Sequence, residues 1–221
     1  MLRDPVASVH TLLRLSNPGA LVWDTRCPEW APAALQRAPW VVMRRAAQRA
    51  GLLPVGVRGA RRAQRCAAWL PDGVVQRCLT PQLLAAQQVW RRRQGGHANP
   101  AIQVLDEVAA VFAAHDQTGR WGPGGSVGFE LASALPCTTP DSDLDLVLQA
   151  DRPIALPDAA RLQAELSKLP ARIDVLLETP HGAVALSELV RARGVMLLRC
   201  PHGPRLVSDP WTADRAAASF S

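Results

Sequence analysis

The stretch of residues 124–148 constrains this 221-residue chain most, because it joins a Gly-Gly-Ser turn to acids spaced two residues apart. Asp143 and Asp145 alternate with Leu144 and Leu146, and this period is typical of a β-strand. Successive side chains of a strand point to opposite faces, so the two acids share one face and the two leucines enter the core. The stretch therefore predicts a turn followed by a strand that carries two carboxylates on one side.

The acid pair Asp143 and Asp145 predicts a metal site. Two carboxylates in one small space repel each other unless a cation lies between them. Magnesium is the usual cation, because it prefers carboxylate and phosphate oxygens. Taken alone, an Asp-x-Asp pair is more often a solvated strand edge than a ligand pair. Asp141 follows Pro140, and its alternative interpretation is a turn residue that precedes the strand.

The Gly-Gly-Ser turn has the features of a phosphate-binding loop. Gly125 lets backbone N–H groups approach a phosphate, Ser126 adds a hydroxyl donor, and a helix predicted over residues 127–133 adds a positive dipole end. Asp174 lies in a predicted strand over residues 171–177 and is the candidate third carboxylate of a two-metal transfer site. A lone glycine-serine turn is weak evidence, but the ordered combination of turn, helix, acid pair and later acid is specific.

Length and composition favour two small folded domains. A chain with 48% hydrophobic and 20% charged residues is long and apolar enough to bury a core. Residues 1–96 are rich in strand patterns, including a predicted hairpin of residues 66–70 and 74–79, whereas helices and strands alternate in residues 97–221. The polar segment at residues 94–97 is the predicted linker. The expected class is α+β, with a small sheet-rich N-terminal domain and a mixed-sheet C-terminal domain.

Two helix starts are marked by an N-cap residue followed by proline. Thr80 precedes Pro81, and the predicted helix ends in the arginines of residues 91–93, which suit the negative end of its dipole. Asn99 opens a single amphipathic helix predicted over residues 99–114. A helix end is thus a plainer account of the arginine run than nucleic-acid binding.

Arginine carries nearly all of the net charge of +6, because Lys168 is the only lysine. The guanidinium fork pairs well with phosphate, so an anionic partner is expected. Arg58, framed by two glycines, is the best candidate for an anion contact, and Arg61, Arg62 and Arg65 form either a basic lip or a solvated face. A nucleic-acid-binding module is the alternative from another class, but the chain lacks tyrosine and its aromatic residues are not interleaved with the basic runs.

The cysteines and the apolar runs predict the compartment. Five cysteines are scattered without the paired spacing of a zinc site or a disulfide framework, which favours a reducing cytoplasm. No apolar run approaches the roughly 20 residues of a membrane span. The N-terminus, with Asp4 and Pro5, lacks the layout of a signal peptide. A cytoplasmic protein that does not enter a membrane is expected.

Two resemblances to known proteins extend this interpretation. The residues Gly125, Ser126, Asp143, Asp145 and Asp174 resemble the site of the polymerase-beta-like nucleotidyltransferase superfamily. Six segments spread over nearly the whole chain carry a second likeness: WVVMRR, PVGVRGARRAQRCAAWL, TPQLL, TTPDSDLDLVL, ETPHGAVALSELV and LLRCPHGPRLVSDPW. Through them the chain resembles the malonate decarboxylase holo-acyl-carrier-protein synthase, or phosphoribosyl-dephospho-CoA transferase, family.

The family resemblance implies a reaction and a role for each predicted site residue. The substrate would be 2'-(5''-triphosphoribosyl)-3'-dephospho-CoA, and the acceptor a serine of the apo acyl-carrier subunit of malonate decarboxylase, with release of pyrophosphate. Asp143 and Asp145 would hold Mg²⁺ and the triphosphate, and Asp174 would assist deprotonation of the serine. Gly125 and Ser126 would grip the leaving pyrophosphate.

Two points stay open beside this resemblance. Arg58 is expected to contact either the phosphates of the coenzyme or an acidic carrier protein, which is an inference from charge alone. A nucleotidyltransferase that acts on the citrate lyase carrier protein, or on a small molecule, is the alternative for the acceptor. Neither acceptor involves a nucleic acid.

Overall fold

The computed structural model describes residues 8–47, 49–61, 63–71, 73–92 and 99–212. Helices and two separate sheets make up this part of the chain, which confirms the predicted α+β class. The linker predicted at residues 94–97, and with it the boundary at residue 96, lies outside the described residues. No helix among the described residues is long and apolar enough to cross a lipid bilayer.

The first sheet is antiparallel and has the strand order β4-β3-β2-β1-β5. Its strands are β1 (Leu12–Leu15), β2 (Trp40–Met43), β3 (Leu52–Arg58), β4 (Arg65–Pro71) and β5 (Val75–Leu79). A 3-10 helix at Pro18–Ala20 and helix α1 (Trp30–Arg37) lie between β1 and β2, and α1 packs against β3. The first sheet is thus formed entirely by the N-terminal part of the chain.

The hairpin predicted for residues 66–70 and 74–79 is wrong, although both strands exist. β4 pairs along its whole length with β3, and β5 pairs with β1 at the opposite edge of the sheet. The glycine turn at Gly73 indicates a change of direction but does not choose the partner strand. That choice depends on how the strand faces pack over long range, which local turn chemistry does not encode.

The second sheet is mixed and has the strand order β11-β10-β9-β8-β7-β6. Its strands are β6 (Trp121–Pro123), β7 (Leu144–Gln149), β8 (Ile173–Thr179), β9 (Gly182–Ala185), β10 (Met196–Cys200) and β11 (Gly203–Val207). β7 and β8 are parallel, and helix α6 (Leu156–Leu166) makes the crossover that parallel neighbours need. The two strands predicted to carry acids therefore lie side by side.

The remaining helices of the described chain accompany the second sheet. They are α2 (Pro81–Ala86), α3 (Pro100–Gln103), α4 (Leu105–Ala114), α5 (Gly125–Ser133) and α7 (Leu186–Arg191), with a 3-10 helix at Val89–Arg92. The single helix predicted over residues 99–114 is broken at Val104, whose backbone (φ −82°, ψ 3°) leaves the helical region. Asn99 nevertheless caps α3 as predicted, because its side chain accepts a hydrogen bond from the Ala101 N–H.

Helix α2 also ends earlier than predicted. Thr80 caps it as expected by accepting a hydrogen bond from the Leu83 N–H. Gln88 then takes a left-handed conformation with φ 46°, which interrupts the helix before the arginine run. Helix α2 packs on β6 so closely that a Cβ at Gly122 would overlap the Pro81 carbonyl. This helix therefore belongs to the layer around the second sheet.

Two apolar clusters form the core, and the first sheet contributes to both. Leu13 and Val41 belong to a cluster confined to the first sheet and its helix, whereas Leu12 and Trp40 join the larger cluster around the second sheet. Because neighbouring residues of a strand face opposite ways, the first sheet is covered on both faces. The leucines of β7 are buried in the larger cluster, as the alternating pattern predicts.

Candidate active site between the two sheets

The glycine turn lies directly against the Asp145 side chain. The Gly124 N–H donates to the Asp145 carbonyl over 2.8 Å, and Gly125 takes a left-handed φ of 53° at the start of α5. A Cβ built on Gly125 would overlap the Asp145 carboxylate. Only glycine therefore fits here without displacement, for reasons of both conformation and space.

Parallel pairing places Asp174 beside Asp145. The register of β7 and β8 sets the two residues opposite each other, and neighbouring strands lie about 4.8 Å apart. Both aspartates are exposed and both line the same cavity. The structure thus brings together the Gly125, Asp145 and Asp174 that the sequence analysis selected, although they are 49 residues apart in the chain.

Asp143 lies just before β7, and Arg172 connects it to Asp174. The Arg172 Nε is 3.7 Å from the Asp143 Oδ1, and the Arg172 Nη2 is 3.7 Å from the Asp174 Oδ2. The guanidinium thus occupies a position between two of the three acids, where a bound cation would also be favoured. Asp143 is not among the residues that line the cavity.

The loop that leads to Asp143 is held by the buried Glu130, which the sequence analysis missed. The Glu130 Oε2 accepts from the Cys137 N–H at 2.9 Å, the Thr138 N–H at 2.8 Å and the Thr138 hydroxyl at 2.7 Å. The Asn99 amide donates to the Thr139 carbonyl from the other side. The signal available in the sequence is Glu130 itself, a charged residue four positions after Ser126 within the predicted helix.

Ser126 is half-buried and does not line the cavity. Its backbone carbonyl accepts a hydrogen bond from the Cys137 thiol at 3.4 Å. The seryl position of the turn is thus tied to the following loop, while Gly124 and Gly125 face the cavity. Of the predicted Gly125 and Ser126 pair, the structure brings only the glycine to the cavity wall.

A cavity of about 750 Å³ separates the two sheets at this point. Its first-sheet wall carries Arg44, Arg58 and Arg65, and Arg199 of β10 contributes from the second sheet. The Arg58 guanidinium lies 5.9 Å from the centre of the Phe129 ring in α5, so it bridges the two sheets by a cation–π contact. The sequence patterns predict Arg58 and Arg65 as candidate anion contacts but indicate no role for Arg44 or Arg199.

The carboxylates suit a metal ion that shares its ligands with a substrate. Within the described part of the chain, no three or more His, Cys, Asp or Glu side chains are grouped closely enough to hold a metal by themselves. Magnesium commonly binds through one or two carboxylates and completes its shell with water and substrate phosphates. Asp145, which opens on the cavity two residues after Asp143, is compatible with that mode of binding.

A buried ion pair connects the two sheets beside the cavity. The Arg45 Nη2 lies 2.5 and 2.6 Å from the two Glu178 carboxylate oxygens, and the His10 Nε2 lies 3.0 Å from Oε1. Burial alone would raise the pKa of Glu178, but the hydrogen bond with His10 and the charge of Arg45 outweigh it and lower the pKa. We name Arg45, Glu178 and His10 the inter-sheet clamp.

Comparisons with known proteins give the class and the family of the chain. Family models described as the N-terminal and C-terminal domains of phosphoribosyl-dephospho-CoA transferase MdcG match residues 8–81 and 84–210. Proteins with the name phosphoribosyl-dephospho-CoA transferase from Pseudomonas putida and Azotobacter vinelandii are 44% and 36% identical. Those alignments cover 88% and 92% of this chain, and 95% and 98% of the relatives. No solved structure matches the chain.

These relatives are transferases, and the chain is a transferase by the same evidence. It belongs to the phosphoribosyl-dephospho-CoA transferase family. The two matched regions meet between residues 81 and 84, at the start of α2.

Proposed function

We propose that this protein transfers the phosphoribosyl-dephospho-CoA group from its triphosphate precursor to a serine of the apo acyl-carrier subunit of malonate decarboxylase. The supporting observation is the close contact of Gly125 with Asp145, which lies next to Asp174. These residues line a cavity whose opposite wall carries arginine side chains. A glycine turn and paired carboxylates suit phosphoryl transfer, in which catalysis rests on positioning and charge stabilisation. The reaction would place the chain in the polymerase-beta-like nucleotidyltransferase class.

The proposed reaction is an in-line substitution at phosphorus. The carrier serine Oγ attacks the phosphorus of the triphosphate that is nearest to the ribose, and a new ester P–O bond forms. The bond from this phosphorus to the bridging oxygen breaks, and pyrophosphate leaves with the electron pair. The serine proton passes to a carboxylate, for which Asp174 is the candidate because it is exposed at the cavity.

Each side chain of the site has a proposed role. Mg²⁺ held by Asp143 and Asp145 would neutralise charge on the triphosphate oxygens. Gly125 lets the start of α5 approach the leaving pyrophosphate, with Ser126 as a further donor. Arg58 would contact the phosphates of the coenzyme part of the substrate from the first sheet, because its planar guanidinium suits phosphate oxygens.

Mass spectrometry of the carrier subunit tests the reaction. The purified apo-carrier is mixed with the protein, the triphosphate precursor and Mg²⁺, and we expect a mass gain equal to one phosphoribosyl-dephospho-CoA group. EDTA should abolish the gain, and added Mg²⁺ should restore it. No gain on the malonate decarboxylase carrier, with a gain on the citrate lyase carrier or a small molecule, would reassign the acceptor.

Asp145→Asn tests the catalytic assignment in the same assay. Loss of a metal ligand should lower the transfer rate at least about a thousandfold, since the charge stabilisation at stake is several kcal/mol. Asp141→Asn is the matched control, because Asp141 is exposed and does not line the cavity. Equal rates for the wild type and Asp145→Asn would overturn the assignment.

A further inference from the structure

Two rows of apolar residues face each other across the cavity. On the first sheet, the strand registers set four residues side by side across β1, β2, β3 and β4: Leu12, Val42, Gly56 and Ala67. On the second sheet, three residues are neighbours in the same way across β7, β8 and β9: Val147, Leu176 and Ala185. All seven line the cavity. We name them the apolar rows.

Contacts at both ends of the cavity hold the apolar rows opposite each other. Glu178 lies two residues after Leu176 in β8, and its partner His10 lies two residues before Leu12. The His10 Nε2 is 3.0 Å from the Glu178 Oε1. At the other end, the Arg58 guanidinium of the first sheet contacts helix α5. The two sheets are thus joined on both sides of the apolar rows.

The apolar rows are nevertheless not packed against each other. Val42, Gly56, Leu176 and Ala185 are only half-buried, and Ala67 is exposed. Protein interiors leave few voids larger than a water molecule, whereas the cavity between these sheets measures about 750 Å³. Small residues keep this space open, because Gly56 has no side chain and Ala67 has a single methyl group. Apolar surface left uncovered in a concave site is typical of a ligand-binding site.

The apolar rows lie directly beside the two acids of the site. Val147 and Leu176 follow Asp145 and Asp174 by two residues each, on the same faces of β7 and β8. Two residues of a strand span about 7 Å. A substrate whose triphosphate is held at the acids therefore places the next part of the molecule against apolar side chains.

We propose that the apolar rows form a slot that binds the adenine ring of the substrate between the two sheets. This proposal rests on the proposed function, because the substrate named there carries its triphosphoribosyl group on the 2' oxygen of adenosine. Adenosine therefore follows directly after the ribose that bears the triphosphate, and pantetheine comes only beyond the pyrophosphate. Adenine is planar and uncharged, so aliphatic side chains can cover both of its faces.

Ala67→Leu tests the slot, because the added carbons extend from an exposed position of the cavity lining. Calorimetry on the full chain measures the binding of dephospho-CoA, which contains the adenine, and of inorganic triphosphate with Mg²⁺, which does not. Dephospho-CoA binding should weaken at least about tenfold, since the new side chain occupies space that the base needs. Triphosphate binding should change less than about twofold. An equal loss for both probes would contradict a separate slot for the base.

Saturation-transfer NMR on the wild type identifies the part of dephospho-CoA that contacts the apolar rows. Irradiation of the methyl groups of the protein should saturate the adenine H2 and H8 protons more strongly than the methyl protons of pantetheine. Stronger saturation of pantetheine would overturn the assignment to the base. This measurement holds whether or not the Ala67→Leu variant folds.

Two control variants separate the size of the side chain from its position. Ala67→Ser keeps the residue small and should bind dephospho-CoA nearly as well as the wild type. Ala33→Leu makes the same enlargement at an exposed position of α1 outside the cavity, and it should leave dephospho-CoA binding unchanged. Circular dichroism checks that all variants fold.

Three results would refute the slot. They are unchanged dephospho-CoA binding in Ala67→Leu, an equal loss in Ala33→Leu, and no binding of dephospho-CoA to the wild type. Neither probe needs a carrier protein or a transfer step, so failure of the transfer assay does not affect these measurements. Conversely, transfer without a contact to the adenine would remove the slot and leave the proposed function intact.

Discussion

The two walls of the cavity carry opposite charges. Among the residues that the structure describes, the first-sheet wall presents Arg44, Arg58 and Arg65 and no carboxylate, whereas the wall formed by β7 and β8 presents Asp145 and Asp174. The acidic wall needs a cation before it can accept a phosphate, but the basic wall can bind an anion directly. The contrast indicates that one wall is suited to chemistry and the other to holding the substrate.

The walls also differ in how they are built. The parallel register sets Asp145 beside Asp174. Gly125 packs so closely against the Asp145 carboxylate that no Cβ would fit between them. Arg58 and Arg65 lie at the paired ends of two antiparallel strands. The inter-sheet clamp is a polar connection between the walls, since Glu178 belongs to β8 and its partners flank strands of the first sheet. It adds to the apolar packing of Leu12 and Trp40 in the larger core cluster.

Removing the charge of Glu178 should produce the largest effect on stability. Glu178→Gln leaves Arg45 largely buried without its counter-ion, and loss of one partner of a buried pair costs about 3–5 kcal/mol. Urea unfolding followed by circular dichroism measures this loss. Asp158→Asn is the control, because its pair with Arg161 is exposed and is worth less than about 1 kcal/mol. Equal losses of unfolding free energy for the two variants would show that the clamp contributes no more to stability than an exposed ion pair.

The clamp also predicts a pH dependence. The pKa of Glu178 is lowered in the folded chain from its ordinary value of 4.5, so its contribution is present above that pH. The contribution is lost as the pH falls through the lowered pKa. The difference in stability between the wild type and Glu178→Gln should therefore be full at pH 7 and shrink below about pH 4.5. A difference that stays constant down to pH 3 would contradict this account.

Gly125→Ala should displace the Asp145 carboxylate and leave the first-sheet wall of the cavity unchanged. The new methyl group would overlap the Asp145 carboxylate, and a displacement of about 1 Å in an active site can cost about a hundredfold in rate. The left-handed φ of 53° adds about 1 kcal/mol of strain. We expect the transfer rate to fall about a hundredfold, with dephospho-CoA binding retained.

Gly119→Ala is the matched control for strain. Gly119 also has a left-handed φ, of 76°, but a Cβ there would meet nothing within 4 Å. It should lose a similar amount of stability, about 1 kcal/mol, and keep its transfer rate. If both variants lost activity equally, backbone strain rather than the position of Asp145 would be the cause.

Local patterns predicted the acidic wall better than the basic wall. Asp145 and Asp174 each stand out within a short strand pattern, and period-2 alternation is a local property. Arg45 and His10 lie 133 and 168 residues from Glu178, so no local pattern reports their contact. The wrong hairpin has the same origin, because the partners of β4 and β5 are chosen by packing over long range.

Ser126→Ala should have the smallest effect on the transfer rate, and it tests the serine of the turn separately from the glycine. The seryl residue does not line the cavity and is held through its backbone by Cys137, so its hydroxyl can supply at most one neutral hydrogen bond. Such a bond is worth about 1 kcal/mol, or about fivefold in rate. Ser133→Ala, at the other end of α5, removes a hydroxyl that donates to the Phe129 carbonyl, and it should leave the rate unchanged. A loss for Ser126→Ala as large as that for Gly125→Ala would mean that the hydroxyl, rather than the close fit of Gly125 and Asp145, holds the leaving pyrophosphate.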